Sequence, residues 1–234
     1  MSTASLLHAQ IQLARSNCPN SPTLVPANLD YSYNLRIEGA TDTIYEGLIR
    51  SGPRSITTPS GGTHLCDGTN NNANPVAKGT STTALDSANG LCEFGYDGTY
   101  DTEFSDSFIT SIGGSTETST EFWGLLNNFQ FTPVGGCQEE PAPLDEILWA
   151  YNAFNANSFL DIQPRTASVA LSATATFTIK DGSTGTLIAG ALFDGVSSDV
   201  NGQVTFTASQ VGTFGVKATK SNAIRSPAVV ITVM

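Results

Sequence analysis

Charge is what this chain has least of. Asp, Glu, Lys and Arg make up 13% of its 234 residues, and the ten Lys and Arg are scattered rather than clustered. Phosphate backbones need grouped basic side chains. With a formal net charge of −11, nucleic acid and anionic membrane surfaces are therefore not expected partners. Long apolar runs are also missing. None approaches the roughly 20 residues of a spanning helix, so no membrane span is expected. Histidine is limited to His8 and His64, and no two cysteines stand in a C-x-x-C spacing, which removes the usual zinc patterns. There is no G-x-S-x-G elbow, no H-E-x-x-H, no phosphate-binding loop and no dinucleotide fingerprint, and no cofactor is expected. No asparagine stands in a glycosylation sequon. The first residues lack the basic stretch and unbroken apolar run of a signal peptide, so a secreted form would have had its signal removed.

What is present is Gly, Ser, Thr and Asn around a 39% apolar content. That mixture reads as a mainly β, loop-rich chain of one large or two small domains, with a polar and acidic surface. The bland reading of the acidity is solubility. Four cysteines, Cys18, Cys66, Cys92 and Cys137, are an even number. They suggest two disulfides and an oxidising compartment, hence a secreted or cell-surface protein; four free thiols in a cytosol are the alternative. Four cysteines allow three pairings, and the residues alone do not choose among them.

Taken in order, residues 1–30 read as a helix over 3–16 followed by a proline-containing linker. The helix places Leu6, Leu7, Ile11 and Ala14 on one face. Tyr31–Glu38 alternates as a strand with Tyr33, Leu35 and Ile37 inward, and Thr43–Arg50 pairs with it as a hairpin. Residues 51–91 are poor in apolar side chains and too long for an ordinary loop. They are read as a functional or disulfide-pinned loop, with a short helix near Thr82–Ala88. Strands are expected over Glu93–Tyr100 and Phe104–Ile112. In Ser119–Phe159, Trp123, Leu125 and Asn127 share a face that Phe129 and Phe131 continue. Ile147, Trp149 and Tyr151 share one face of a later strand, with Leu148 and Ala150 on the other.

After Asp161 the chain has no Trp, Tyr or Cys. Short alternating runs separated by Asp181-Gly182, Asp194-Gly195 and Asn201-Gly202 point to a β-sandwich over 162–234. Asn201-Gly202 carries the strongest type I′ hairpin signal.

Two constellations look chemical. His64 beside Cys66 has the makings of a nucleophile pair, which a disulfide at Cys66 would abolish; a loop histidine bonded to backbone is the plainer reading. Asp67–Asn71 opens like a calcium loop, but Asn72 stands where Gly is required and Lys78 where the bidentate Glu belongs. Asp97, Asp101, Glu103 and Asp106 form a second oxygen-rich group. Irregular calcium binding is weighed against ordinary turn and strand-surface roles for both.

Four phrases resemble a family of fungal secreted proteins that carry a transcobalamin C-terminal-like domain: RIEGATDTIYEG (36–47), TTPSGGTHLCDGTNNNANP (57–75), FWGLLNNFQFTPVGGCQ (122–138) and DEILWAYNAFN (145–155). The tail resembles bacterial-type Ig-like modules through TIKDGSTGTLIAGALF, DVNGQVTFTASQVGTFGVKAT and NAIRSPAVVITV. The resemblance implies a β-grasp-like mixed β domain over 31–161 and an Ig-like β-sandwich over 162–234. It implies a Cys66–Cys137 pair, which leaves Cys18 with Cys92. It supplies no catalytic residues. At one place the chain departs from the pattern: Leu144, not Gly, precedes Asp145, which makes a left-handed turn there less expected.

The expected function is extracellular binding. Aromatic walls stack well on rings and sugar faces, so the candidate ligand-binding residues are Trp123, Asn127, Phe129, Trp149, Tyr151, Tyr96 and His64. The expected partner is an apolar small molecule or a cell-wall glycan, with plain core packing as the competing role for the aromatics. A cofactor-independent cyclase or pericyclase with an apolar pocket is the alternative, and a purely structural surface protein is a third reading.

Overall fold

Alternation decides the first sheet. The computed structural model describes residues 31–234. The helix and linker expected before residue 31, and Cys18 with them, lie outside the described residues. In β1 (Ser32–Glu38), Tyr33, Leu35 and Ile37 are at most 2% exposed. Two-residue periodicity puts all three on one face. β2 (Thr43–Arg50) returns antiparallel, with Ile49 opposite Tyr33 and Tyr45 opposite Ile37. Each such side chain contributes about 1.5–3 kcal/mol on full burial.

The stretch expected as a long loop is built instead. β3 (Arg54–Thr58) and β4 (Gly62–Cys66) form a hairpin with Ile56 buried beside the Cys66–Cys137 disulfide. A hairpin holding so few apolar residues escapes periodicity; the cross-link and backbone pairing hold it. α1 (Ser81–Cys92) follows. Thr80 and Thr83 cap its first turn reciprocally, which offsets the weak helix propensity of its Ser and Thr. Ala84, Leu85 and Ala88 face the sheet. The helix runs past the expected end at Ala88, and left-handed Glu93 closes it. The next strand, β5 (Tyr96–Asp101), therefore starts three residues later than the expected Glu93.

β6 (Asp106–Ile112) and β7 (Ser115–Thr116) complete a three-stranded sheet with β5. β8 (Trp123–Asn127), β9 (Gln130–Phe131) and β10 (Glu146–Tyr151) then join the first hairpin in the order β2-β1-β10-β8-β9, with β10 parallel to β1. The alternation expected in β10 is present. Ile147 and Trp149 pack on the helix side, and Leu148 and Ala150 on the other. The expected continuation of β8 through Phe129 is corrected. Asn128 and Phe129 both take positive φ, 48° and 63°, and make a two-residue turn into β9. Phe129 thereby swings to the face opposite the tryptophans, packing against the Leu126–Leu148 cluster.

β11 (Ser158–Gln163) runs through residue 161, where the composition changes. β12 (Thr166–Val169), β13 (Thr174–Asp181), β14 (Leu192–Phe193), β15 (Val196–Ser197), β16 (Gln203–Thr207), β17 (Gly212–Val216), β18 (Ala218–Thr219), β19 (Ala223–Ile224) and β20 (Val229–Val233) follow. They form sheets β16-β13-β11-β19, β12-β20-β17 and β15-β14-β18, closed on Leu160, Ile162, Phe177, Ile179, Phe193 and Ile231. The chain is mainly β, as expected. The type I′ geometry falls at Asp194-Gly195, both with positive φ, between β14 and β15. At Asn201-Gly202 only the glycine is left-handed, and the amide of Gly202 closes a turn on the carbonyl of Asp199 at 3.0 Å.

Candidate functional site

The expected aromatic residues divide three ways. Trp123 and Trp149 are 5% and 4% exposed and belong with Tyr96 to the core under α1. Their indole N–H groups donate to main-chain carbonyls, Trp123 to Ser115 at 3.0 Å and Trp149 to Ser81 at 3.4 Å. Tyr96 donates to Asp86 at 2.8 Å; burial, and then that carboxylate, push its phenol upward. These three are satisfied core groups. Asn127 donates to Glu139 and Asp145, each at 3.0 Å, pinning the strand end. Phe129 lies across the sheet from them, with the Arg36 guanidinium 5.8 Å from its ring centre. His64 stands apart on β4, stacked on Tyr100 at 3.5 Å and bonded to the carbonyl of Gly61 at 2.9 Å. Its neighbour Cys66 is locked in the disulfide, so a Cys–His nucleophile pair is absent there. Cys92 is disulfide-bonded as well; its expected partner, Cys18, lies outside the described residues.

The oxygen-rich groups are used internally. Asp67 accepts from the amide and hydroxyl of Thr69, Asp97 from Ser60, and Asp101 from the amides of Glu103 and Phe104. Among the described residues no three His, Cys, Asp or Glu side chains converge on a metal position.

Of the expected residues, Tyr151 stands at the larger of two open clefts. β1 and β10 run parallel and end side by side, and a cleft of about 330 Å³ opens at those ends. Its walls include Glu38, Glu121, Tyr151, Asn152, Asn155, Asn222 and Arg225. Tyr151 stands edge-on to Trp123 at 5.5 Å. Its hydroxyl reaches the carbonyl of Thr116 at 2.8 Å and Glu121 at 3.2 Å. Burial, then Glu121 and Glu117, raise its phenol, so it stays a donor at neutral pH. Asn152 adopts φ 57°, which asparagine tolerates better than most residues, and this aims the short turn Ala153–Asn155 across the cleft. Asn152 donates to Glu121 at 3.1 Å, and Asn155 to the carbonyl of Thr120 at 2.9 Å. Arg225 donates to Glu38 at 2.7 Å and to the carbonyls of Thr41 and Gly39 at 2.7 and 2.9 Å.

The asparagines and Arg225 were not among the expected site residues. The run NAFNAN over 152–157 was the available signal: amide side chains repeated after an aromatic strand. Arg225 carried none, since its contact with Glu38 spans 187 positions.

A second cleft, about 210 Å³, lies on the sheet face away from α1. Its walls carry Arg36, Glu46, Phe129, Glu146 and Arg165. Arg165 pairs with Glu146 at 3.1 Å and with Asp161 at 2.7 Å, so its charges are already matched. Among the described residues no helix is long and apolar enough to cross a membrane. No family model matches the chain, and no curated protein matches it.

Proposed function

We propose that this is a secreted or cell-surface binding protein that holds a neutral glycan in the cleft at the ends of β1 and β10. The carrying observation is the chemistry of that cleft: three asparagines, the Glu121 carboxylate and a protonated tyrosine, with its one arginine tied to Glu38 and to two main-chain carbonyls. Sugar hydroxyls both donate and accept, and amides with a carboxylate meet both needs. The disulfide at Cys66–Cys137 supports an oxidising compartment. The strand order β2-β1-β10-β8-β9 with one covering helix supports the β-grasp-like reading of the first part, and with it the resemblance to the fungal secreted family; the later sheets support the Ig-like reading of the tail as a spacer or docking module. The cyclase alternative needs an apolar chamber; the cleft at the ends of β1 and β10 is walled mainly by charged and amide groups, and the second, which adds Leu35, Phe129, Ile147, Leu148 and Pro227 to its charged residues, holds only about 210 Å³, so binding is the reading retained.

The test is calorimetric titration with cell-wall oligosaccharides, alongside tryptophan emission, since Trp123 touches Tyr151. Saturable sugar binding that is lost in the Asn152→Ala/Asn155→Ala double variant supports the reading. Binding of terpenoid or polyketide-like compounds, with none of any sugar, overturns it.

A further inference from the structure

Beside the cleft lies an aromatic pair that packing does not account for. Phe131 of β9 and Phe154 of the turn Ala153–Asn155 stack with ring centres 5.0 Å apart and planes within 9°. They are 44% and 63% exposed. Phe131 is held from behind by buried Phe159, edge-on at 5.5 Å. Both rings lie on the backbone of β8 at Gly124, where an added Cβ would come within 3.0 Å of the Phe131 ring and 2.6 Å of Ala153. The strand is thus bare of side chain where the rings rest. Gly124 and Phe159, which back the stack, are uncharged. A ring fixed in this way loses little rotamer entropy on binding.

The pair lies outside the cleft's own lining and is joined to it through the chain. Phe154 sits in the same short turn as Asn155, one position from it, and Asn152 precedes that turn; both asparagines face the cleft. We propose that Phe154, backed by Phe131, is a second subsite of that cleft, so that the ligand is a chain of neutral sugars running from the amides onto the exposed ring. This rests on the glycan reading above and adds chain length to it. A pyranose has an apolar C–H face and a rim of hydroxyls. The face fits the ring, and the rim fits the Asn155 side-chain oxygen and the second N–H of Asn152, the groups left over once Asn155 has donated to Thr120 and Asn152, and Asn152 to Glu121. Neutrality follows from Glu121, whose carboxylate on the cleft wall would repel an acidic sugar. A protein partner fits less well, because a stable interface buries on the order of 1,200–2,000 Å², far beyond what two rings supply.

The experiment is calorimetry on the full chain with β-1,3-gluco-, β-1,4-gluco- and chito-oligosaccharides, from disaccharide to hexasaccharide. For the series that binds, the hexasaccharide is expected to bind about tenfold tighter than the disaccharide. Phe154→Ala abolishes that gain, and Phe154→Tyr, which keeps the ring, retains it. Disaccharide binding with no gain on lengthening, or a gain that survives in Phe154→Ala, overturns the second subsite and leaves the cleft reading standing. No binding of any sugar overturns both. Self-association in sedimentation that Phe154→Ala removes would assign the ring to a second copy of the chain, and would also overturn the inference.

Discussion

The Arg225 guanidinium closes on the Glu38 carboxylate at 2.7 Å, and that carboxylate belongs to a residue 1% exposed. Lys217 and Arg36 meet the same carboxylate, and Lys217 bridges to Glu46 at 2.6 Å. One end of this cluster is the β1–β2 hairpin and the other is the last strands of the chain. Burial opposes ionisation of Glu38, but Lys217, Arg36 and Arg225 outweigh it and hold the acid below its ordinary value of 4.5.

Glu38→Gln is therefore expected to destabilise the protein by about 3–5 kcal/mol, because it leaves buried cations facing a neutral amide. The midpoint of urea unfolding reads this directly. The sign with pH follows from the lowered pKa. The stabilisation is present above the unfolded value and is lost as pH falls through the folded one. Unfolding in acid should thus be steeper in the wild type than in Glu38→Gln; equal slopes would remove the cluster from the stability of the fold.

Asp106 has the opposite sign. It is 6% exposed, and burial pushes its carboxyl up to about 6 despite amide bonds from Cys137, Ser107 and Gln138. A raised pKa contributes stability that is full below the unfolded value and lost as pH rises through the folded one. Between the ordinary 3.8 and about 6 the loss amounts to roughly 2–3 kcal/mol. Asp106→Asn should flatten stability between pH 4 and pH 7, whatever its absolute effect, and a slope left intact in that variant would assign the titration elsewhere.

These two carboxylates also show where sequence reading stops. The faces of β1 and β10 were legible because a two-residue period needs only neighbours: Tyr33, Leu35 and Ile37, then Ile147 and Trp149, declare themselves within one strand. The Glu38–Arg225 contact is set by how distant segments pack, and no local pattern encodes it. Phe129 was misplaced because Asn128-Phe129 makes a left-handed turn without a glycine to announce it. The tryptophans drew attention as pocket walls because composition records that they are there and not which way the sheet faces. Tyr151, one position past Ala150 at the strand end, reached the cleft at the ends of β1 and β10, and Phe129 reached the other.

The disulfide gives a prediction independent of any ligand. Cys66 and Cys137 close 71 positions of chain, tying β4 to the Gly135-Gly136 turn that packs against Thr82 and Trp149. In the loop-entropy account a closure of this length contributes about 4 kcal/mol. The Cys66→Ala/Cys137→Ala double variant should lose about that much in chemical unfolding under non-reducing conditions. A loss below roughly 1 kcal/mol would mean that Ile56 and the hairpin hydrogen bonds hold this region without the cross-link.

Leu144 supplies the last test, at the position where a left-handed turn was less expected for want of a glycine. Its φ is 69°, so the left-handed turn forms there even without glycine. The turn is held by the amide of Leu144 on the carbonyl of Ser32 at 2.7 Å and by Asn34 on the carbonyl of Leu144 at 2.7 Å. An L-residue with a Cβ pays about 1–2 kcal/mol in this conformation. Its side chain is 47% exposed and recovers little by packing. Leu144→Gly removes the steric cost and adds chain entropy to the unfolded state, about 0.5–1 kcal/mol in the other direction. The net expectation is a stabilisation of about 0.5–1 kcal/mol, visible as a higher urea midpoint with unchanged slope. Destabilisation would show that the half-exposed leucine contributes more to the entry of β10 than its backbone strain removes.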